Sequence, residues 1–202
     1  MTTASRPVRV VAVSGSLTAP SRTTALVEAI SEAFGRVLPI DYHLIALNEL
    51  GPHLAGALTR DQLPAEAEAE LQRIEDADLL VVATPVYRAS FTGLFKYLFD
   101  FVDQYALVDT PVLLAATGGS ERHALIIEHQ LRPLFSFFQS LALPVGVYAH
   151  DSDFTDYRIS DPQLAERIEK AIERALPLVR SSLVEKETIE RTLAGEDVST
   201  EG

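Results

Sequence analysis

The chain of 202 residues contains no cysteine. Disulfides and thiolate-bound metals are therefore excluded. Basic residues are scarce: 17 lysines and arginines face 29 acids, for a net charge of −12. That balance opposes a general affinity for nucleic acid or anionic membranes. No apolar run approaches the ~20 residues of a membrane span. The opening MTTASRPVRV lacks the apolar core of a signal peptide, so a cytoplasmic location is expected. Two nucleotide-binding signatures are missing. There is no GxxxxGK followed by Ser or Thr, which argues against a P-loop triphosphatase. There is no GxGxxG, so the dinucleotide fingerprint is absent as well. The five histidines form no HExxH pair and no cluster with carboxylates at metal spacing, so no metal site is expected. Asp151, Asp153 and Asp156 lack the glycine and terminal glutamate of a calcium loop and read as turn residues.

What is present is a globular balance of 47% apolar and 23% charged residues, on a chain long enough for one α/β domain with a sizeable core. Apolar runs at 8–14, 40–46, 78–83, 111–116 and 144–149 read as strands. Helical patterns fall at 21–36, 64–76, 91–103, 121–141 and 161–180. Ser21 is a plausible N-cap for the first of these helices and Asp161 for the last, with Pro162 in its first turn. Residues 47–63, marked by Gly51-Pro52, read as mostly loop. A single domain over 1–180, followed by a flexible polar tail over 181–202, is expected. Five strands alternating with helices imply a parallel sheet covered on both faces. In such sheets ligands gather outside the carboxyl ends of the strands. That rule selects the loops 15–20, 84–90 and 117–120.

The first loop, GSLTAPSRTT, turns from strand to helix. A helix N-terminus suits a phosphate, and Ser16, Ser21, Thr23 and Thr24 add hydroxyls while Arg22 adds charge. Residues 1–24 include Arg6, Arg9 and Arg22 and no acid, which is compatible either with a bound anion or with a chance gap. The loop reads either as an ordinary cap with surface serines or as a phosphate site, and the hydroxyl density favours the second. Without paired glycines it suits a terminal monophosphate better than a pyrophosphate, pointing to FMN rather than FAD. In the second loop, TPVYRAS, Pro85 stiffens the chain and Tyr87 offers an aromatic face, although local packing of Tyr87 would also explain it. In the third, TGGS, Gly118 and Gly119 let backbone approach a ligand closely; a plain strand-to-helix turn is the alternative.

The stretches GSLTAPSRT, ATPVYRASFTGLFKYLFDF and ATGGSERHALIIEHQLRPLF together resemble the NAD(P)H-dependent FMN reductase family. The likeness is nearest to the reductases of two-component sulfonate monooxygenase systems, and it spans residues 8–150. The resemblance implies a flavodoxin-like three-layer α/β/α sandwich with a five-stranded parallel sheet of order 2-1-3-4-5. It implies that Ser16, Ser21, Arg22 and Thr23 surround the FMN phosphate. Pro85, Val86, Tyr87 and Arg88 would border the isoalloxazine, with Thr117, Gly118, Gly119 and Ser120 on its other polar edge. Some relatives carry Lys in place of Arg88. NADH or NADPH would reduce the flavin by direct hydride transfer with no catalytic acid or base, and reduced FMN would pass to a partner flavin-dependent monooxygenase. Two alternative readings stand beside it: an FMN-containing quinone or azo reductase using the same site, and a non-enzymatic flavodoxin-type electron carrier. A flavodoxin-like subunit that has lost its flavin is disfavoured by the three intact loops.

The segment 121–141 is apolar on more than one side, through Leu125, Ile126, Ile127, Leu131, Leu134, Phe135, Phe137 and Phe138. One side is expected to cover the sheet and the other to meet a second subunit, giving a homo-oligomer. Pro133 should disturb the helix, and the resemblance implies a π-bulge near His129.

Overall fold

The computed structural model describes residues 6–193. Four long strands run parallel: β1 (Val8–Ser14), β2 (Ile40–Ala46), β3 (Leu79–Pro85) and β4 (Pro111–Gly118). The edge beyond β4 is one strand broken in two, β5 (Leu141–Ala142) and β6 (Val147–His150), each paired with β4. The sheet order is β2-β1-β3-β4-β5, with β6 continuing the edge. The expected order is therefore found, but the fifth strand, expected over 144–149, is interrupted. Pro144 has no N–H to give a ladder and lies in the gap.

Alternation along the strands separates two cores. Val8, Val10 and Ala12 of β1 pack with α1 (Arg22–Gly35) and α6 (Pro162–Leu193). Val11 and Val13 face the other way, against α2 (Leu47–Leu54), α3 (Ala65–Glu75), α4 (Gly93–Phe99) and α5 (Arg132–Phe137). In α1, Leu26, Val27, Ile30 and Phe34 lie on one buried face, and a fully buried side chain of that size is worth about 1.5–3 kcal/mol. Phe95 and Phe99 of α4 join Phe135 of α5 with ring centroids 4.9 and 5.0 Å apart in succession.

Four expectations are corrected. The loop expected over 47–63 begins with α2, because Leu47, Leu50 and Leu54 share a buried face and outweigh Pro52. Gly51 lets α2 and α4 approach closely: a Cβ there would stand 2.5 Å from the Leu94 Cδ2, and that side chain would have to move. The helix expected over 91–103 is shorter, with Thr92 accepting a hydrogen bond from the Phe95 N–H at its start. The continuous helix expected over 121–141 is instead a 3₁₀ turn at Glu121–His123, a π-helix at Ile127–Leu131 and then α5. Pro133 supplies the reason: it cannot donate back to the preceding turn and its ring crowds the His129 carbonyl, so the wider turn forms. His129 lies inside that π-helix, where the resemblance located a bulge.

The fourth correction concerns the tail expected from residue 181. α6 continues to Leu193, and residues 194–202 lie outside the described residues. Leu183 packs on the core, and Ser182 donates to the Asp109 carbonyl. Lys186 donates to Asp78 at 2.9 Å. The Asp78 side chain is fully buried and also holds Arg6 and Arg9. Burial alone would raise its pKa, but the hydrogen bonds from Arg6, Arg9 and Lys186 prevail and hold it far below the ordinary carboxylate range. Arg6 and Arg9 are thus committed at the amino ends of the strands, and of the three early arginines only Arg22 remains for an anion at the carboxyl ends.

This latch makes a stability prediction. Asp78→Ala should lower unfolding free energy by about 2 kcal/mol at pH 7, less than for a fully enclosed pair because its cations are part-exposed. Because the folded pKa is depressed, the wild-type contribution is complete above the unfolded carboxylate's value of about 3.9 and fades as pH falls below it. Urea denaturation of both proteins at pH 7 and pH 3 should show the gap narrowing in acid.

Candidate functional site

The three selected loops meet. β1 and β3 pair in register from Val10↔Leu79 to Ser14↔Ala83, and β3 and β4 from Leu80↔Val112 to Pro85↔Thr117. Their carboxyl tips therefore stand side by side. Gly15 donates to the Ala83 carbonyl at 2.7 Å, and Thr92 donates to the Gly15 carbonyl at 3.1 Å. A Cβ at Gly15 would stand 2.9 Å from Phe95 and 3.1 Å from the Ala83 oxygen, so the turn off β1 needs glycine. Thr23 and Thr117 share a buried hydroxyl–hydroxyl bond of 2.7 Å, tying the first loop to the third.

The result is a cleft of about 270 Å³. Ser16, Ser21, Arg22 and Thr23 line one end, with Pro85, Val86 and Tyr87 from the second loop and Thr117, Gly118 and Gly119 from the third. The structure thus gathers ten of the twelve residues selected from sequence. Arg88 and Ser120 are not in the lining. Arg88 and Ala89 form an exposed turn with φ of 51° and 68°, a left-handed pair costing about 1–2 kcal/mol per residue. Two backbone bonds between Tyr87 and Ser90, of 2.9 and 3.2 Å, hold it. Ser120 instead accepts from the Arg122 N–H through its hydroxyl and from the Tyr148 hydroxyl through its carbonyl.

The lining serines are held by their neighbours. Ser21 is the N-cap of α1, accepting from the Thr23 and Thr24 N–H groups at 3.1 and 3.3 Å. Ser16 donates to the Thr18 carbonyl. Tyr87 is about half exposed at the mouth, leaving a ring face open. Four further lining residues were not selected from sequence: Thr18, Pro20, Asp151 and Tyr157. Asp151 follows β6 at the carboxyl edge, so the strand-end rule pointed to its position. Tyr157 had no such signal. It sits in the turn of a hairpin of β7 (Phe154–Thr155) and β8 (Arg158–Ile159), where Asp156 and Tyr157 have φ of 48° and 60° without a glycine. Asp153 turns away from the cleft to bind the His150 N–H and Arg167.

His123 and His129 have different settings. His123 Nδ1 is the one buried side-chain N or O atom without a hydrogen-bond partner among the described residues. It lies 3.3 Å from where a Gly118 Cβ would stand. His129 is exposed on the π-helix. A second cleft, of about 610 Å³, lies under α6 at the amino ends of the strands. Its charged lining includes Arg9, Asp78 and Lys186, which are consumed by the latch.

The sequence model for NADPH-dependent FMN reductase matches residues 8–155. The chain belongs to that family. It is a flavodoxin-like oxidoreductase that uses FMN and a reduced nicotinamide nucleotide. A relative in Pseudomonas fluorescens, the NADH-dependent FMN reductase SfnF, is 59% identical over 89% of this chain and 96% of its own. An NADPH-type FMN reductase of Pseudomonas aeruginosa is 57% identical over 85% of this chain and 92% of its own. Among solved structures, an oxidoreductase from Corynebacterium diphtheriae superposes with a TM-score of 0.78 at 35% identity, covering 88% of this chain and 99% of that one.

The cleft's donor chemistry fits the family's flavin: hydroxyls and a guanidinium at one end, an exposed aromatic face and glycine backbone at the other. Among the described residues no group of histidines and acids could hold a metal ion, and no helix is long and apolar enough to cross a membrane.

The Thr23–Thr117 tie can be tested directly. Thr117→Val leaves the Thr23 hydroxyl buried without its partner and should cost about 1–3 kcal/mol. Replacing both threonines by valine should cost less than the sum of the single changes. Denaturant midpoints of the four proteins, read as a double-mutant cycle, measure the coupling.

Proposed function

We propose that this cleft is the flavin site and that Arg22, Ser16, Ser21 and Thr23 hold the FMN phosphate. Pro85, Val86 and Tyr87 flank the ring, and Thr117, Gly118 and Gly119 meet its polar edge. The observation that carries this reading is the convergence of three loops, far apart in sequence, on one cleft at the carboxyl tips of β1, β3 and β4. The guanidinium of Arg22 and the amino end of α1 provide positive potential for a phosphate.

When bound, FMN supplies a ring whose N5 accepts a hydride from nicotinamide C4. The protein's contribution is geometry. Pro85 and Val86 would border the ring, and the exposed Tyr87 side chain in the cleft lining would leave a face for a second planar group. The Gly118–Gly119 backbone, with no Cβ to hold a ligand away, offers donors where negative charge develops. Direct transfer between stacked rings needs no acid or base from His123 or His129.

Two wider assignments belong to this reading. Reduced FMN passes to a partner flavin-dependent monooxygenase of the sulfonate type, as the family likeness of the three loops implies. The chain also self-associates through the 121–141 segment. Ile126, Ile127, Leu131, Phe135 and Phe138 are buried in the core, whereas Leu125 and Phe137 are 61% and 63% exposed. Those two supply the second apolar side, and a symmetric partner would cover them.

Arg22→Ala should weaken FMN binding by about tenfold to a hundredfold, the range of a lost hydrogen bond to a charged group. Riboflavin, which has no phosphate, should bind as before, and thermal stability should change little. Flavin-fluorescence titration measures both affinities. An anaerobic assay of NADH and NADPH oxidation with added FMN tests the reaction: no oxidation of either nucleotide would remove the reductase assignment.

A further inference from the structure

Arg22 is held by two residues from the far end of the chain. Its guanidinium carbon stands 5.7 Å from the centroid of the Tyr157 ring, over the face. Its Nη1 donates to Asp151 Oδ1 at 3.5 Å. Both partners line the same cleft as the hydroxyls of the first loop. The other carboxylate oxygen of Asp151 lies against the third loop, 3.2 Å from where a Gly119 Cβ would stand. Asp151 thus bridges the proposed phosphate end and the proposed ring end of the cleft. Its neighbour Asp153 is engaged with Arg167, and the His150 ring with Ser152, so Arg22 is the cation that Asp151 meets.

A carboxylate paired with the guanidinium that should take a phosphate is an opposing charge in the site. A phosphate bound to Arg22 must displace that carboxylate or share the cation with it a few ångströms away. Either course lowers the affinity. Tyr157 is different in kind: its ring face attracts the guanidinium whichever anion is present. The left-handed backbone of Asp156 and Tyr157 aims that ring, and the β7–β8 pairing on both sides holds the turn.

We propose that Asp151 is a resident competitor for the flavin phosphate and that Tyr157 is the positioning residue that keeps Arg22 in place while its anion is exchanged. The proposal rests on the assignment of the FMN phosphate to Arg22. Its consequence is a flavin that exchanges rather than a permanently held group, the property an enzyme needs if reduced FMN is to leave for another protein.

The test is a titration of FMN and riboflavin into the purified protein, with dissociation followed by stopped-flow fluorescence. Asp151→Asn keeps the shape and removes the charge. It should tighten FMN about threefold to tenfold, the range for a part-exposed charge pair, slow FMN dissociation in proportion, and leave riboflavin unchanged. Asp151→Ala should act in the same direction and serves as the second variant if Asn disturbs the turn. Tyr157→Ala should weaken FMN by about tenfold without affecting riboflavin, and Tyr157→Phe should restore wild-type affinity. A wild-type protein that binds no FMN overturns the flavin assignment itself. With FMN bound by the wild type, unchanged or weaker affinity in both Asp151 variants overturns the competitor role. So does an equal gain for riboflavin, since the effect would not run through the phosphate. A Tyr157→Phe protein as weak as Tyr157→Ala overturns the platform.

Discussion

The buried bond between the Thr23 and Thr117 hydroxyls, 2.7 Å long, reaches from the first turn of α1 to the tip of β4, across the end of β3. It exists because the parallel register of β1, β3 and β4 brings their carboxyl ends level. Everything in the cleft is measured from that line. Gly15 is pinned to the Ala83 carbonyl and to Thr92 on one side of it. The Gly118–Gly119 backbone is positioned on the other. The two ends of a long, planar ligand can then be held by separate loops, because those loops are not free to move apart.

Charge is distributed with the same economy. The two arginines that precede β1 or lie within it are consumed by Asp78 at the opposite end of the sheet, and the same carboxylate anchors the extended α6 by accepting from Lys186. That leaves Arg22 as the cation in the cleft lining of a strongly acidic chain. An isolated cation at a helix N-terminus attracts anions well. Its pairing with a part-exposed aspartate moderates that attraction and differs from the fully buried carboxylate of the Asp78 latch.

The break in the 121–141 segment links sequence to packing. Pro133 cannot complete an α-helical ladder, so the chain widens into a π-turn just before it. The turn sends Ile127 and Leu131 into the core while Leu125 and, beyond it, Phe137 remain outside. An uninterrupted helix would have spread these apolar residues around its axis. The bulge sorts them into a face for the sheet and an exposed pair.

Much was legible in the sequence because it depends on local chemistry. Periodicity located β1 to β4 and α1, α3 and α6. Ser21 and Asp161 marked helix starts, and the glycine and hydroxyl clusters after the strands marked the loops that form the cleft. What it could not show depends on contacts between distant segments. α2 forms over Gly51-Pro52 because its leucines find a core. Residues 181–193 stay helical because Asp78 and Asp109 are there to receive them. Asp151 and Tyr157 reach Arg22 only because β6 and the β7–β8 hairpin return to the cleft, and a turn without glycine gave no notice of that return. The residues by themselves singled out the loops that line the cleft. Only the packed sheet decided which side chains share a space there, since that follows from strand register and long-range burial, quantities that no short window of sequence contains.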